Sequence, residues 1–480
     1  MDEEQIETAE AVPDTAEAVP TKRFFVSMLT RDINLVDAIL DLVDNCLDGA
    51  LRSAQGAEVN YAQHFIRIAL SAEQFSISDD CGGIPRVIAK NYAFKMGREG
   101  TDKRDDETET IGMYGIGMKR AIFKMGRNSV VRSFNADDNF KVPISADWLE
   151  EPGWNPLPIL DTIGDEALSV RGTTIQVVDL YPTVAQHFEN AAFINDLRRS
   201  LGEHFTTFLQ RGLLIEVNRE KVEPVRIEVL VSEDPRGPAP YLYKKDIDGV
   251  SMSIVVGFNA GPRDGDDDDA DLDFDADRSS ETAGWSVFCN DRAVIVGDKS
   301  RMTGWGDGVP LYHGQFSVIT GIVEFRSTLA DKLPVTTTKR ALDTASSVWL
   351  EAKVKMREGL RVWTTHTNTW KNHPRADQAS FWASARPLDL ARAIAAVSER
   401  KLTSKADGGV EYNPAKDKVL PVPPGKTPSS RRIVFSRPME EIRAVSTYLF
   451  DKEDEKPGVV GDRCFEMVRV KAMPSGGDAE

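Results

Sequence analysis

One predicted helix carries five polar residues whose types and spacing could serve chemistry on a nucleotide. The segment LVDAILDLVDNCLDGA, residues 35–50, repeats apolar side chains at three- and four-residue intervals, which predicts an amphipathic helix. Its other side carries Asp37, Asp41, Asp44, Asn45 and Asp48. Like charges one helical turn apart cost about 0.2–0.5 kcal/mol per pair, so a carboxylate stripe without basic partners needs an explanation. Bulk water is one explanation, and a metal–nucleotide complex held by Asp41 and Asn45 is the other.

Two glycine-containing segments further along the chain have the composition of a phosphate-binding site. FSISDDCGGIP, residues 75–85, predicts a strand that ends in Asp79 before a glycine turn. IGMYGIGMKRA, residues 111–121, places three glycines before a predicted helix. Main-chain N–H groups at a helix N-terminus bind phosphate, and glycine lets them approach it closely. The pattern fits neither a P-loop nor a dinucleotide fingerprint.

Taken in order, these segments resemble the four sequence boxes of the GHKL ATPase superfamily, which includes gyrase B subunits, large heat-shock chaperones, histidine kinases, MutL and the MORC proteins. DLVDNCLDGA resembles the first box, SDDCGGI the adenine box, IGMYGIGMK the glycine-rich lid box and RGTTIQV the Gly-Thr box. DKLPVTTTKRALD resembles the end of the transducer domain that follows the nucleotide domain in MutL, gyrase and MORC proteins. The resemblance runs from Phe24 to Asp343 and is closest to MORC-type and related prokaryotic ATPases.

The resemblance implies ATP and Mg²⁺ as cofactors and gives individual residues a role. Asp79 would accept a hydrogen bond from the adenine amino group, and Thr173 would support the adenine site. Asn45 would be the Mg²⁺ ligand, Asp41 the general base, and Lys339 the contact to the γ-phosphate. The remaining residues implied to bind the nucleotide are Gly83, Ile84, Gly112, Gly115, Ile116, Gly117, Met118 and Lys119.

The sequence departs from the family pattern at two positions. Asp41 stands where most hydrolysing members have Glu, so its carboxylate reaches one methylene less and turnover is expected to be slow. Cys81 stands where the first glycine of the adenine box is expected, and Gly82 follows it. The turn is therefore expected to be shifted along the chain.

The pattern of elements predicts an α/β fold. Helical and strand patterns alternate from Phe24 to Gly212, and a second α/β unit follows. The resemblance makes the first unit a Bergerat-type α/β sandwich and the second transducer-like, before a mainly helical C-terminal region. The expected domains are a disordered acidic tail (1–21), an ATP-binding domain (22–212), a transducer-like domain (213–345) and a basic helical region with a Pro-rich linker and tail (346–480).

The composition argues against several classes of protein. The 480 residues carry 59 basic and 76 acidic side chains, a net charge of −17 that argues against coating nucleic acid with the whole surface. An acidic N-terminus and the lack of a long apolar run argue against export and membrane insertion. Four scattered cysteines and six histidines show no disulfide framework or metal spacing, so a cytoplasmic protein is expected.

Three further segments carry separate predictions. Between Lys353 and Arg437, 17 basic residues oppose 7 acidic ones, which predicts a basic surface for DNA, for an acidic effector protein or for this chain's own acidic loop. That loop holds nine aspartates in residues 264–277 and could bind calcium or simply be solvated. Residues 97–110, GREGTDKRDDETET, predict a mobile lid over the triphosphate, although a plain surface loop would have the same sequence.

The leading functional hypothesis is an ATP-gated homodimeric clamp on DNA or a protein partner, with phage defence or DNA maintenance as its pathway. A chaperone-like or non-catalytic nucleotide-binding scaffold is the alternative. A histidine kinase would need a phospho-acceptor histidine upstream of the nucleotide domain, where only an acidic tail is found.

Overall fold

The computed structural model describes residues 20–98, 108–112, 115–136, 138–259, 282–336, 339–371, 373, 375–423 and 436–472. The chain divides into two compact units at Pro423 and Pro424. Several predictions lie outside the described residues: the acidic loop 264–277, nearly all of the tail 1–21, most of the lid 97–110 and the end of the Pro-rich segment.

Thirteen helices and seventeen strands are found among the described residues. The helices are α1 Lys22–Arg31, α2 Leu35–Ser53, α3 Arg86–Ile88, α4 Gly117–Met125, α5 Ala146–Glu150, α6 Pro182–Glu189, α7 Ala191–His204, α8 Thr206–Gln210, α9 Ser347–Trp370, α10 Ala379–Trp382, α11 Leu390–Ser398, α12 Met439–Phe450 and α13 Pro457–Ala472. The strands are β1 Phe65–Leu70, β2 Gln74–Asp79, β3 Gly126–Asn135, β4 Asp138–Ile144, β5 Leu160–Asp161, β6 Gly172–Leu180, β7 Leu214–Val217, β8 Glu220–Lys221, β9 Val229–Ser232, β10 Tyr241–Ile247, β11 Val250–Phe258, β12 Gly284–Cys289, β13 Arg292–Asp298, β14 Ile319–Arg326, β15 Ala385–Leu388, β16 Thr403–Ser404 and β17 Val410–Tyr412.

The first sheet has eight strands in the order β5-β4-β3-β6-β2-β1-β7-β8. All of its pairs are antiparallel except β1 with β7. Along β1, Ile66, Ile68 and Leu70 are buried on one face, as the period-two pattern predicts. Apolar residues of α2, α4 and α7 join this face in one core, so a helical layer covers the sheet.

The second sheet has seven strands in the order β13-β12-β14-β11-β10-β17-β16. Helix α9 packs on it through buried Trp349, Met356 and Trp363. The Trp363 indole N–H donates to the Val256 carbonyl oxygen at 2.6 Å, which satisfies the polar atom of this buried ring. Strand β13 of this sheet contacts α7 and α8, so the second sheet packs against helices of the first within one compact unit.

These layers confirm the predicted fold class. Residues 346–423, predicted to be mainly helical, also contribute the short strands β15, β16 and β17, and β17 extends the second sheet by pairing with β10. Strands of two to four residues are too short to show a periodic pattern in the sequence. The predicted domain limits at residues 212 and 345 remain predictions.

The second unit is described over residues 436–472, where it consists of α12 and α13. Among all described residues, no helix combines the length and the apolar composition that crossing a bilayer requires.

Candidate functional site

A cavity of about 550 Å³ lies where the glycine-rich segments meet α2. All thirteen residues predicted to form the site line it: Asp41, Asn45, Asp79, Gly83, Ile84, Gly112, Gly115, Ile116, Gly117, Met118, Lys119, Thr173 and Lys339. The structure thus brings together residues that are as many as 298 positions apart in the chain. Their individual roles toward a nucleotide remain predictions.

Helix α2 sets the floor of the cavity. It begins after Asn34, whose side-chain oxygen accepts from the Asp37 main-chain N–H at 2.8 Å and so caps the first turn. Asn45 is exposed although the residues on either side of it are buried, so its amide is the part of this turn that is open to a ligand. Asp41, one turn earlier, is only 3% exposed.

Asp79 closes one end of the cavity. Its Oδ1 atom accepts from the main-chain N–H groups of Cys81 at 2.8 Å and Thr173 at 3.3 Å. Burial raises the pKa of Asp79 to about 6, and these hydrogen bonds oppose the shift. Gly172 is required beside it, because an added Cβ would lie 1.8 Å from the Asp79 carbonyl oxygen. Thr173 therefore supports Asp79 directly, through its own N–H.

The turn after Asp79 uses two glycines in the left-handed region, Gly82 with φ +97° and Gly83 with φ +72°. A Cβ on Gly83 would lie 2.1 Å from the Phe134 carbonyl oxygen, so no larger residue fits. Cys81 is buried at the position expected to be glycine. The Ile84 N–H donates to the Ser133 hydroxyl at 2.6 Å, so Ile84 offers the cavity its side chain rather than this donor.

Asp48, on α2, holds the start of the glycine-rich segment through hydrogen bonds. The two carboxylate oxygens of Asp48 accept from the main-chain N–H groups of Ile111 and Gly112, each at 2.8 Å. Burial raises the pKa of Asp48. Further along, Gly115 has φ +65° and α4 begins at Gly117. The first N–H groups of a helix have no partner within it, so this turn can donate to an anion.

Lys119 lines the cavity and is also engaged by main-chain carbonyl groups. Its side chain is 2% exposed, and its ammonium group donates to the carbonyl oxygens of Ala93, at 2.9 Å, and of Gly115. These bonds tie the glycine-rich turn to the preceding helical segment. A phosphate contact by Lys119 would compete with them.

Two cations meet the Asp41 carboxylate. Arg120, on α4, forms a buried ion pair with it. The Lys339 ammonium nitrogen lies 3.7 Å from Asp41 Oδ1 and donates to Asp44 Oδ2 at 2.8 Å. Burial alone would lower the pKa of Lys339, but the Asp44 and Asp41 carboxylates raise it above its usual value. Lys339 itself has φ +55°, a strained conformation for a non-glycine residue.

The aspartates of α2 have basic partners and are not exposed to bulk water. The sequence alone indicates a stripe without basic partners, and the structure corrects this. Asp44 is fully buried between Lys339 and Arg292, whose Nε lies 2.7 Å from Asp44 Oδ1. Asp37 pairs with Arg340. Helical spacing rules consider only neighbours along one helix, whereas these cations come from the second sheet and the segment after it.

Arg292 is the main residue that the sequence reasoning missed. It follows a hairpin turn in which Asn290 and Asp291 have φ +49° and +66°, as both central residues of a type I′ turn require. The letters FCNDRAV, with Asn-Asp between apolar runs, are the signal that could have located this turn. The turn also contacts Thr110, the last residue of the predicted lid segment, because the Asn290 amide donates to the Thr110 carbonyl oxygen at 3.0 Å.

Asn45 fits the predicted Mg²⁺ ligand by its chemistry. The neighbouring carboxylates of Asp41, Asp44 and Asp48 are occupied by cations or main-chain N–H groups, so in this part of α2 the neutral side-chain oxygen of Asn45 is the one left for a ligand. Mg²⁺ is commonly held by few protein oxygens, with water and substrate phosphates completing its shell. Among the described residues, a cluster of His64, Asp80 and Cys81 has metal-ligand types, but burial raises the pKa of the Cys81 thiol and disfavours the thiolate.

Comparison with known proteins identifies part of the chain. Residues 33–167 match the family of histidine kinase-, DNA gyrase B-, and HSP90-like ATPases. The match supports membership of the GHKL superfamily and ATP binding by this domain. It includes Asp41, Asn45, Asp79 and the glycine-rich segment, and it ends before Thr173 and Lys339. No curated protein matches the sequence.

Proposed function

We propose that this chain is a Mg²⁺-dependent ATPase of the GHKL superfamily that works as an ATP-gated homodimeric clamp, closest in type to MORC proteins. The observation that carries the proposal is the position of Lys339. It belongs to the segment that follows strand β14 of the second sheet, yet it lines the cavity beside the first sheet and lies 3.7 Å from Asp41. A nucleotide in this cavity would therefore be sensed by both sheets.

The binding steps follow from the residues that line the cavity. Asp79 accepts from the two N–H groups through one oxygen, and its carboxylate would also accept from the adenine amino group. The first turn of α4 would donate its N–H groups to the phosphates. Asn45 would hold Mg²⁺, which when bound neutralises phosphate charge.

Hydrolysis would use Asp41 as the general base that orients and polarises the attacking water. Arg120 and Lys339 both place positive charge beside Asp41. Movement of Lys339 to the γ-phosphate would leave Asp41 with one cation fewer and thus more able to accept a proton. The short reach of an aspartate favours slow turnover.

The clamp would close because Lys339 distinguishes ATP from ADP. A charge-assisted hydrogen bond to the γ-phosphate can form only with ATP, and a ligand shifts a conformational equilibrium only through such a difference in affinity. Closure of two protomers would grip a partner, and hydrolysis would release it. A chaperone-like or non-catalytic scaffold is the alternative.

Partner binding is proposed for the basic residues 353–437. DNA phosphates fit this charge, and an acidic effector protein is the other occupant. Roles in phage defence and in DNA maintenance are both compatible with such a clamp. The four cysteines are free thiols, which suits the reducing cytoplasm where we place the protein.

Asp41→Asn tests hydrolysis. The amide keeps the shape of the side chain but removes the proton acceptor, so turnover should fall by about 100-fold or more while ATP affinity is retained. Phosphate release and isothermal titration measure the two effects. Asp37→Asn is the matched control, because Asp37 lies one turn earlier on α2 and does not line the cavity. Unchanged turnover in Asp41→Asn would show that another residue is the base.

Salt dependence tests the partner. If residues 353–437 contact DNA, the logarithm of affinity should fall with the logarithm of salt concentration by about 0.9 for each phosphate neutralised. Reversing exposed Lys416 and Lys418 to Glu should flatten this slope, and reversing exposed Lys332, outside the region, should not. A slope unchanged by the double reversal would place DNA elsewhere, and a lack of DNA binding would favour the protein partner.

A further inference from the structure

Asp44 is a buried carboxylate with two cationic partners that differ in their relation to the cavity. Lys339 donates to Oδ2 at 2.8 Å, and Arg292 donates to Oδ1 at 2.7 Å. Lys339 lines the cavity, whereas Asp44 and Arg292 do not. Asp44 is fully buried, and each of its two oxygens accepts from one of these cations. The carboxylate therefore belongs to the support of the site.

Arg292 is fixed by contacts that do not involve the Lys339 side chain. Its NH1 group donates to the Lys339 carbonyl oxygen at 2.8 Å, and its guanidinium lies 5.5 Å from the Phe205 ring centroid. The type I′ turn at Asn290 and Asp291 fixes the backbone immediately before it. Arg292 can therefore keep its place on Asp44 if the lysine ammonium moves.

The two partners have unequal freedom. Lys339 has a flexible stem and a point charge, whereas the planar Arg292 guanidinium is held by several directed hydrogen bonds. An ammonium group that reaches a γ-phosphate must give up part of its bond to Asp44. A buried carboxylate that loses its last cation is strongly destabilised, but one that keeps Arg292 is not.

We infer that Asp44 and Arg292 are positioning residues that set the preference of the site for ATP over ADP. Asp44 holds Lys339 back when no γ-phosphate is present. Arg292 keeps Asp44 neutralised when Lys339 moves to the γ-phosphate, and so lets the lysine leave. The inference rests on the proposed contact between Lys339 and the γ-phosphate.

Removing the charge of Asp44 and removing the charge of Arg292 should change the preference of the site for ATP over ADP in opposite directions. Without the negative charge of Asp44, Lys339 is free to move to the γ-phosphate, which only ATP carries, so ATP preference should rise. Without Arg292, Lys339 becomes the last cation on Asp44 and is retained there, so ATP preference should fall. Removing both charges should cancel the fall caused by losing Arg292, because Asp44 then no longer retains Lys339.

The experiment compares the affinities of the full chain for a non-hydrolysable ATP analogue and for ADP by isothermal titration in Mg²⁺. Arg292→Gln should lower the ratio of analogue to ADP affinity by roughly tenfold, the value of one charge-assisted hydrogen bond. Asp44→Asn should raise the ratio, and the double variant should return it to the parent value or above. ADP affinity should be unchanged in all three variants, since neither residue lines the cavity.

Two controls separate positioning from folding. Arg211→Gln removes an ion pair to Asp291, beside Arg292, without touching Asp44, and should leave the ratio unchanged. Arg292→Lys keeps a cation near Asp44 and should retain most of the parent ratio even if Arg292→Gln fails to fold. A tenfold fall in Arg292→Lys, or equal ratios in the parent and Asp44→Asn, would overturn the inference.

Lys339→Ala distinguishes this inference from the proposed function. If Lys339→Ala leaves the ratio at its parent value, the lysine does not read the γ-phosphate and the proposed function fails at that step. If Lys339→Ala collapses the ratio while Asp44→Asn and Arg292→Gln leave it unchanged, the proposed function stands and the positioning role is wrong.

Discussion

The two ends of the cavity, at Asp79 and at Asp41, are built in different ways. At the Asp79 end, a single carboxylate is held by main-chain N–H groups of Cys81 and Thr173, both within the first sheet or its turns. At the Asp41 end, three buried carboxylates of α2 take cations and N–H groups from distant segments. Asp41 pairs with Arg120 across 79 positions, and Asp44 pairs with Lys339 across 295.

The difference shows which part of the site depends on the second sheet. The hydrogen bonds of Asp79 and the contacts of the glycines around it come from the first sheet, its turns and helix α2. The Asp41 end needs Arg292 and Lys339 in place, since without them Asp44 would be a buried unpaired charge. Changes at the Asp79 end should therefore affect all nucleotides, and changes in Lys339 should affect ATP alone.

The largest expected effect is at the Asp79 end. If Asp79 accepts from the adenine amino group as proposed, Asp79→Asn replaces that acceptor with a side chain that can present a donor, so affinity for both ATP and ADP should fall by roughly 100-fold or more. Isothermal titration with each nucleotide measures it.

Asp80→Asn is the matched control, because Asp80 accepts from the Phe65 N–H at 2.8 Å and does not line the cavity. Normal affinity in Asp79→Asn, or an equal loss in both variants, would remove the adenine assignment and with it the distinction between the two ends.

The sequence predicted the Asp79 end better than the Asp41 end for a physical reason. Gly83 and Gly172 are needed because a Cβ would collide with main chain, and such requirements are visible in the sequence as glycines at fixed places. The ion pairs of α2 depend on how two sheets dock. No local rule links Asp44 to Arg292, 248 positions away.

The region after residue 345 was harder to predict. Its basic charge could be counted, but strand β17 could not be foreseen, because three residues carry no period. Helix α9 lies in the region predicted to be helical, and its Trp349 and Trp363 are buried against the second sheet. The composition therefore predicts the net positive charge of this region but does not predict which of its residues would form a binding site.

The smaller and more selective effect is at the Asp41 end, and it tests the clamp most directly. Analytical ultracentrifugation of the full chain should show a higher dimer fraction with a non-hydrolysable ATP analogue than with ADP or no nucleotide, because only ATP offers Lys339 a γ-phosphate. Lys339→Ala should abolish this increase, and Lys332→Ala, at an exposed position in the same segment, should retain it. If Lys339→Ala dimerises with the analogue as readily as the parent, or if the parent is equally dimeric without nucleotide, the clamp is contradicted and a constitutive scaffold is the better description.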